Sequence, residues 1–219
     1  MKKIAVILSG SGVFDGAEIH ESVITLLTLD RAGAAYQCLA PDIPQMHVIN
    51  HLKGEETPGE SRNVLVEAAR IARGNILDLA QATPADYDAV ILPGGFGAAK
   101  NLSDFAVKGA DCDVNADVVR FCRGMAEQGK PMAFVCIAPA LLPKIFGPEV
   151  ELTIGNDPGT AEQIEKMGGI HLSCPVTEFV VDEQRRIVST PAYMYDESIS
   201  KVASGIEKAV GKVLEMCDA

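Results

Sequence analysis

No part of the chain approaches the ~20 consecutive apolar residues that a membrane span requires. The amino terminus, MKKIAVILSG, has two lysines and an apolar run. That run stops after about six residues, shorter than the apolar core of a secretory leader, and reads as the first strand of a cytoplasmic protein. Basic clusters are missing as well. Lysine and arginine total 19 against 30 aspartates and glutamates, a formal net charge of −11. Nothing gathers to neutralise phosphates, which argues against a nucleic-acid partner. The six cysteines, Cys38, Cys112, Cys122, Cys136, Cys174 and Cys217, contain no C-x-x-C pair. Neither a zinc site nor a disulfide framework is suggested, and no metal is expected. Internal repeats and low-complexity segments are also absent.

What is present suits one domain over residues 1–219, with a small insertion near 41–62. The chain is long enough to bury a full core, and its 47% hydrophobic and 22% charged residues are ordinary globular proportions. Apolar runs alternate with helical spacing. KIAVIL (3–8) and AAYQCLA (34–40) read as strands around a helix over 17–33. NVLVEAARIAR (63–73) is helical, DAVILPGGFG (88–97) a strand running into glycines, and 114–130 another helix. PMAFVC is a strand followed by a short helix, IAPALLPKIFG. VELTIG, a helix near AEQIEKMGG, strand pieces near HLSCPV and EFVVDEQRRIVST, and a last amphipathic helix over 198–217 follow. Buried runs alternating with helices predict an α/β three-layer sandwich with a mostly parallel central sheet. Ligand sites in such sheets lie beyond the carboxyl ends of the strands, where the strand order switches.

Three strand ends carry unusual residues. SGSGVFDG (9–16) lacks the spacing of either nucleotide-binding glycine motif and reads as a tight turn. Glu18, His20 and Glu21 then fall in the first helical turns, where carboxylates also serve as plain caps worth about 0.3–1 kcal/mol. LPGGFG (92–97) leaves backbone N–H groups unshielded, as an oxyanion pocket requires, although Pro-Gly-Gly also makes ordinary turns. Cys136 sits where a strand turns sharply into a short helix, a thiol version of the nucleophile elbow. The free N–H groups of a first helical turn favour thiolate over thiol. Pro139 fits that first turn, and Pro143 limits the helix to a stub. From this stretch alone, a buried structural cysteine fits equally well.

The combination separates them. LPGGFGAAKNLSD, a helix, then GKPMAFVCIAPALLPKIF looks like the nucleophile half of the flavodoxin-like, class I glutamine-amidotransferase-like fold. With the acidic helix start after strand one, the chain resembles the PfpI superfamily. VILSGSGVFDGAEIHE, HVINHL, RNVLVEAARIARG, CIAPALLPKIF and VVDEQRRIVSTPAYM extend the likeness nearly end to end to the ElbB-type proteins, also called glyoxalase ElbB or enhancing-lycopene-biosynthesis proteins. That resemblance implies Cys136 as nucleophile, Glu21 as the acid with Glu18 as alternative, and oxyanion donors on the backbone of Gly94 or Gly95 and of Ile137. It also implies a homodimer.

One departure matters. Peptidase-like and amidotransferase-like relatives place a histidine directly after the cysteine or in a later H-P-E segment; here Ile137 follows Cys136 and no H-P-E exists. The thiol–base pairing of hydrolytic triads is missing at its usual position. His20, about 100° round the helix from Glu21, is a candidate pocket residue. His51 in the insertion is a candidate for folding over the site. The chemistry that needs only a thiol, a carboxyl and an oxyanion pocket is cofactor-free conversion of glyoxal to glycolate, of the glutathione-independent glyoxalase III kind, with a related deglycase reading. The alternative is a redox-sensing or partner-binding protein with an oxidisable Cys136.

Overall fold

The computed structural model describes Met1–Asp218. In chain order the elements are β1 (Lys3–Ile7), α1 (Ile19–Arg31), β2 (Ala35–Ala40), β3 (Ile49–Asn50), β4 (Glu55–Glu56), α2 (Val64–Ile71), β5 (Ile76–Asp78), β6 (Ala89–Leu92), α3 (Phe96–Lys100), α4 (Phe105–Lys108), α5 (Ala116–Glu127), β7 (Met132–Val135), α6 (Leu142–Phe146), β8 (Glu151–Leu152), α7 (Pro158–Lys166), β9 (Ile170–His171), β10 (Val180–Asp182), β11 (Ile187–Thr190) and α8 (Ile199–Met216). A seven-stranded sheet runs in the order β10-β11-β7-β6-β1-β2-β5. Every pairing in it is parallel except β10 with β11.

Both faces of the sheet are covered. Ile4 and Val6 of β1, Ile91 of β6 and Val135 of β7 pack with Leu26 and Leu29 of α1 and Val202, Ile206 and Val213 of α8. The intervening residues Ala5, Ile7, Leu92 and Phe134 meet Phe121 and Met125 of α5 and Ile145 of α6 on the other side. Strand residues alternate between the faces, and because both faces are dry the strands read as unbroken apolar runs. The result is the expected three-layer, mostly parallel architecture.

Two differences from the sequence reading have local causes. The edge strand β5 was not anticipated: it has three residues, none fully buried, so it carries no alternating pattern, and only its register with Cys38–Ala40 of β2 defines it. The strand expected near HLSCPV shortens to Ile170–His171 and pairs with β8 outside the main sheet. The 41–62 segment contains the small antiparallel hairpin β3–β4.

The order also positions a site. From β1 the chain moves outward one way to β2, and later strands add on the other side through β6 and β7. The crevice beyond the carboxyl ends of β1, β6 and β7 is therefore the switch point where α/β sheets bind ligands.

Candidate active site

Glu21 enters the crevice from the first turn of α1. Glu18 caps that helix, its Oε2 accepting the Glu21 N–H at 2.7 Å, and the cap fixes the direction in which Glu21 projects. Glu21 is fully buried. Its Oε2 accepts the Gly94 N–H at 2.9 Å and its Oε1 accepts the Tyr193 N–H at 3.2 Å. The thiol of Cys136 sits beside it and is coupled to it electrostatically.

Cys136 follows β7 with a φ of 62°. A non-glycine residue there costs on the order of 1–3 kcal/mol and persists only when its surroundings hold it. Its N–H donates to the Thr190 carbonyl at 2.9 Å, and the loop after β6 packs against its side chain. A Cβ on Gly94 would lie 2.4 Å from the Cys136 Cβ and 2.8 Å from Glu21 Oε2, so only glycine lets that backbone approach. Gly95 has a φ of 92° and the same kind of crowding, its imagined Cβ 2.4 Å from the Glu18 nitrogen. We expect Gly94→Ala to lose about 1–3 kcal/mol of stability through overpacking and to displace the thiol. A thermal melt and mass-spectrometric labelling of Cys136 check this; an unchanged melt with unchanged labelling would refute it.

Burial, then the negative charge of Glu18, pushes the Glu21 carboxyl up to about 8. Burial, then an ionised Glu21, pushes the Cys136 thiol well above its ordinary value, while the N–H groups of Gly95 and Ile137 pull it down. This corrects the expectation of a thiol held low by a helix end. The turn after Cys136 is a four-residue 3-10 turn, Ala138–Leu141, so single N–H groups rather than an aligned helix face the sulfur, and burial outweighs them. The two groups titrate as a pair. At neutral pH both protons are held, and the first leaves near pH 8. Because the Glu21 carboxyl accepts the Gly94 and Tyr193 N–H groups while burial holds the thiol higher, the one-proton form is the Cys136 thiol beside the Glu21 carboxylate.

Cys136 opens onto a cavity of about 350 Å³ whose wall also includes Glu18, Gly95, Ile137, Tyr193 and Met194, while Glu21 lies buried behind the sulfur. The expected site residues separate here. Cys136, Glu21, Gly95 and Ile137 come together, and Glu18 lines the wall as well as capping α1. Gly94 does not serve as an oxyanion donor, because its N–H is already given to Glu21. His20 is exposed and lies outside the cavity, with its Nδ1 2.9 Å from the Tyr193 hydroxyl. His51 does not fold over the site either. Its Nε2 accepts the Phe14 N–H at 3.2 Å, its ring lies 5.1 Å from that of Phe14, and it fastens the insertion to the 9–16 loop. Among the described residues no histidine lines the cavity, and no three His, Cys, Asp or Glu side chains gather as a metal would need. Sequence reasoning missed Tyr193, although it lay inside the quoted STPAYM block. Only the fold carries the turn after β11 to Glu21.

The model of the DJ-1/PfpI family matches residues 2–146. The chain belongs to the DJ-1/PfpI family. It is 49% identical to the human "Glutamine amidotransferase-like class 1 domain-containing protein 3, mitochondrial", over 98% of this chain and 83% of that one. It is 48% identical to the rat "ES1 protein homolog, mitochondrial", over 98% of this chain and 84% of that one. Among solved structures, an isoprenoid biosynthesis protein with an amidotransferase-like domain from Ehrlichia chaffeensis is 37% identical, covers 99% of each chain and superposes with a TM-score of 0.92. Among the described residues no helix is long and apolar enough to cross a membrane.

Proposed function

We propose that this DJ-1/PfpI member is an ElbB-type, cofactor-independent glyoxalase converting glyoxal to glycolate. The observation that carries the reading is the fully buried Glu21 carboxyl beside the Cys136 thiol, where Cys136 lines a cavity that no histidine among the described residues lines. A hydrolytic triad needs a base at the nucleophile; a shared proton between thiol and carboxyl suits addition to an aldehyde and proton transfer between its carbons.

Cys136 sulfur adds to one aldehyde carbon to give a hemithioacetal, whose oxygen lies nearest the N–H donors of Gly95 and Ile137. Glu21 takes the proton from that carbon and returns one to its neighbour through an enediol, leaving a thioester. Water cleaves the thioester to glycolate and the free thiol. The sum is OHC–CHO plus water to HOCH2–COOH; one carbon is oxidised, its neighbour is reduced, and no outside electron carrier takes part. The reading includes a homodimer working in the cytoplasm. The mitochondrial compartment in two relatives' names is said of those proteins, and the isoprenoid label of the Ehrlichia relative suggests a pathway association rather than a reaction.

The test is glycolate formation from glyoxal by wild type and Cys136→Ala side by side. Glycolate from the first and none from the second is expected. If wild type makes none while dilute peroxide converts Cys136 to sulfenic acid, the redox-switch reading replaces this one. Because the first proton leaves the pair near pH 8, glycolate formation should climb as pH rises from about 7 to 9. A profile flat over that range would remove the coupled pair from the mechanism.

A further inference from the structure

We propose that the cavity selects uncharged 2-oxoaldehydes with a bulky apolar or aromatic substituent, of the form R–CO–CHO, over glyoxal itself. The proposal rests on the glyoxalase reading of Cys136 and Glu21 and adds the substrate class. Size is the first reason. At about 30 Å³ per water in the liquid, a cavity of about 350 Å³ has room for roughly a dozen waters. Glyoxal, with four heavy atoms, fills a small part of it. The space lies within the range of roughly 300–1,000 Å³ in which proteins bind much larger organic ligands.

Lining is the second reason. Phe96, Phe105, Ile137 and Met194 surround the approach to the sulfur, a surface that a two-carbon dicarbonyl leaves in water and an apolar tail would cover. Charge is the third. The ionisable carboxyls in the wall are Glu18 and Asp157, and no lysine, arginine or histidine among the described residues lines it. Asp157 accepts the Thr160 N–H at 2.7 Å, so its carboxylate is held in place. A chain of net charge −11 with two wall carboxyls repels carboxylate- or phosphate-bearing aldehydes. The chemistry stays balanced for the larger substrate: R–CO–CHO plus water gives R–CH(OH)–COOH, the aldehyde carbon oxidised and the ketone carbon reduced.

The experiment has two arms. In the first, kcat/KM is measured for glyoxal, methylglyoxal and phenylglyoxal, following glycolate, lactate and mandelate. A rise across the series of tenfold or more is expected, since apolar pockets discriminate by roughly 10–200-fold per added group. Ala106→Phe, at an exposed position of the wall, should cut the phenylglyoxal-to-glyoxal ratio at least fivefold. In the second arm, Cys136 is alkylated by 2-chloroacetamide, N-benzyl-2-chloroacetamide and chloroacetate, each rate divided by that of free glutathione. The benzyl reagent should gain at least tenfold, and chloroacetate should fall below the parent amide. Glyoxal turnover with no preference in either arm overturns this proposal and leaves the glyoxalase reading standing. No turnover of any 2-oxoaldehyde, with the benzyl preference intact, overturns the glyoxalase reading and retains the apolar, uncharged ligand class.

Discussion

Glu21→Gln should leave a protein that still labels at Cys136 and makes almost no glycolate. General acid–base groups contribute about 10²–10⁴-fold in rate, and an amide can neither accept nor return a proton. The substitution is not a perfect mimic. Glu21 accepts N–H groups at both oxygens, from Gly94 at 2.9 Å and from Tyr193 at 3.2 Å. The amide nitrogen of glutamine must face one of those donors, the longer Tyr193 contact being the easier to give up. An unsatisfied buried N–H costs about 1–3 kcal/mol, so some loss of stability is expected at low pH beside the loss of rate. Steady-state glycolate formation with iodoacetamide labelling on the same sample separates the two effects. Glu18→Gln is the contrast. Its remaining carbonyl can still cap α1, so activity should fall less than tenfold. Removing its charge takes away the second cause of the raised Glu21 value, so the pH at which activity rises should move down. Wild-type rates from Glu21→Gln would sink the shuttle and leave a bound water to move the proton.

How legible this was from sequence differs by residue. Cys136 was visible because it ends a strong strand pattern at a sharp turn. Glu21, in the first turn of a helix where a carboxylate is also a plain cap, stood out only through the family resemblance. Their contact was not visible, since it depends on β6 lying between β1 and β7. Gly94 was marked for its freedom from a side chain, but its N–H went to the carboxyl rather than to an oxyanion, a choice only distance decides. Tyr193 had no signal of its own: its part is a backbone N–H, and Ala192, with a φ of 43°, turns the chain to aim it. The thiol's titration was misread because a free helix end was assumed where burial dominates. His20 and His51 were natural candidates by chemistry, yet one bonds Tyr193 from outside and the other fastens a loop. A histidine's position on a helix or in an insertion does not say which side of the wall it stands on.

The second large effect is on stability, and pH reveals it. The Glu21 carboxyl has an ordinary value near 4.5 in the unfolded chain and about 8 in the fold, so between those limits the folded state binds the extra proton. Stability from this group is complete below about pH 4.5 and is lost as pH rises through 8. At about 1.4 kcal/mol per tenfold, the full loss is on the order of 5 kcal/mol, comparable with the whole stability of a marginal domain. Glu21→Gln carries no such proton. Its stability should therefore lack this decline between pH 5 and 8.5. Near pH 5 the variant should be the less stable, by the unsatisfied N–H; near pH 8.5 it should be the more stable, so the two curves cross. Urea unfolding of both proteins at several pH values tests this directly, because titrations elsewhere in the chain cancel in the difference. Parallel curves would mean that Glu21 is ionised in the fold at neutral pH. The proton shared with Cys136 would then have to reside on sulfur, and the addition step would begin from a thiol beside a carboxylate acting as its base.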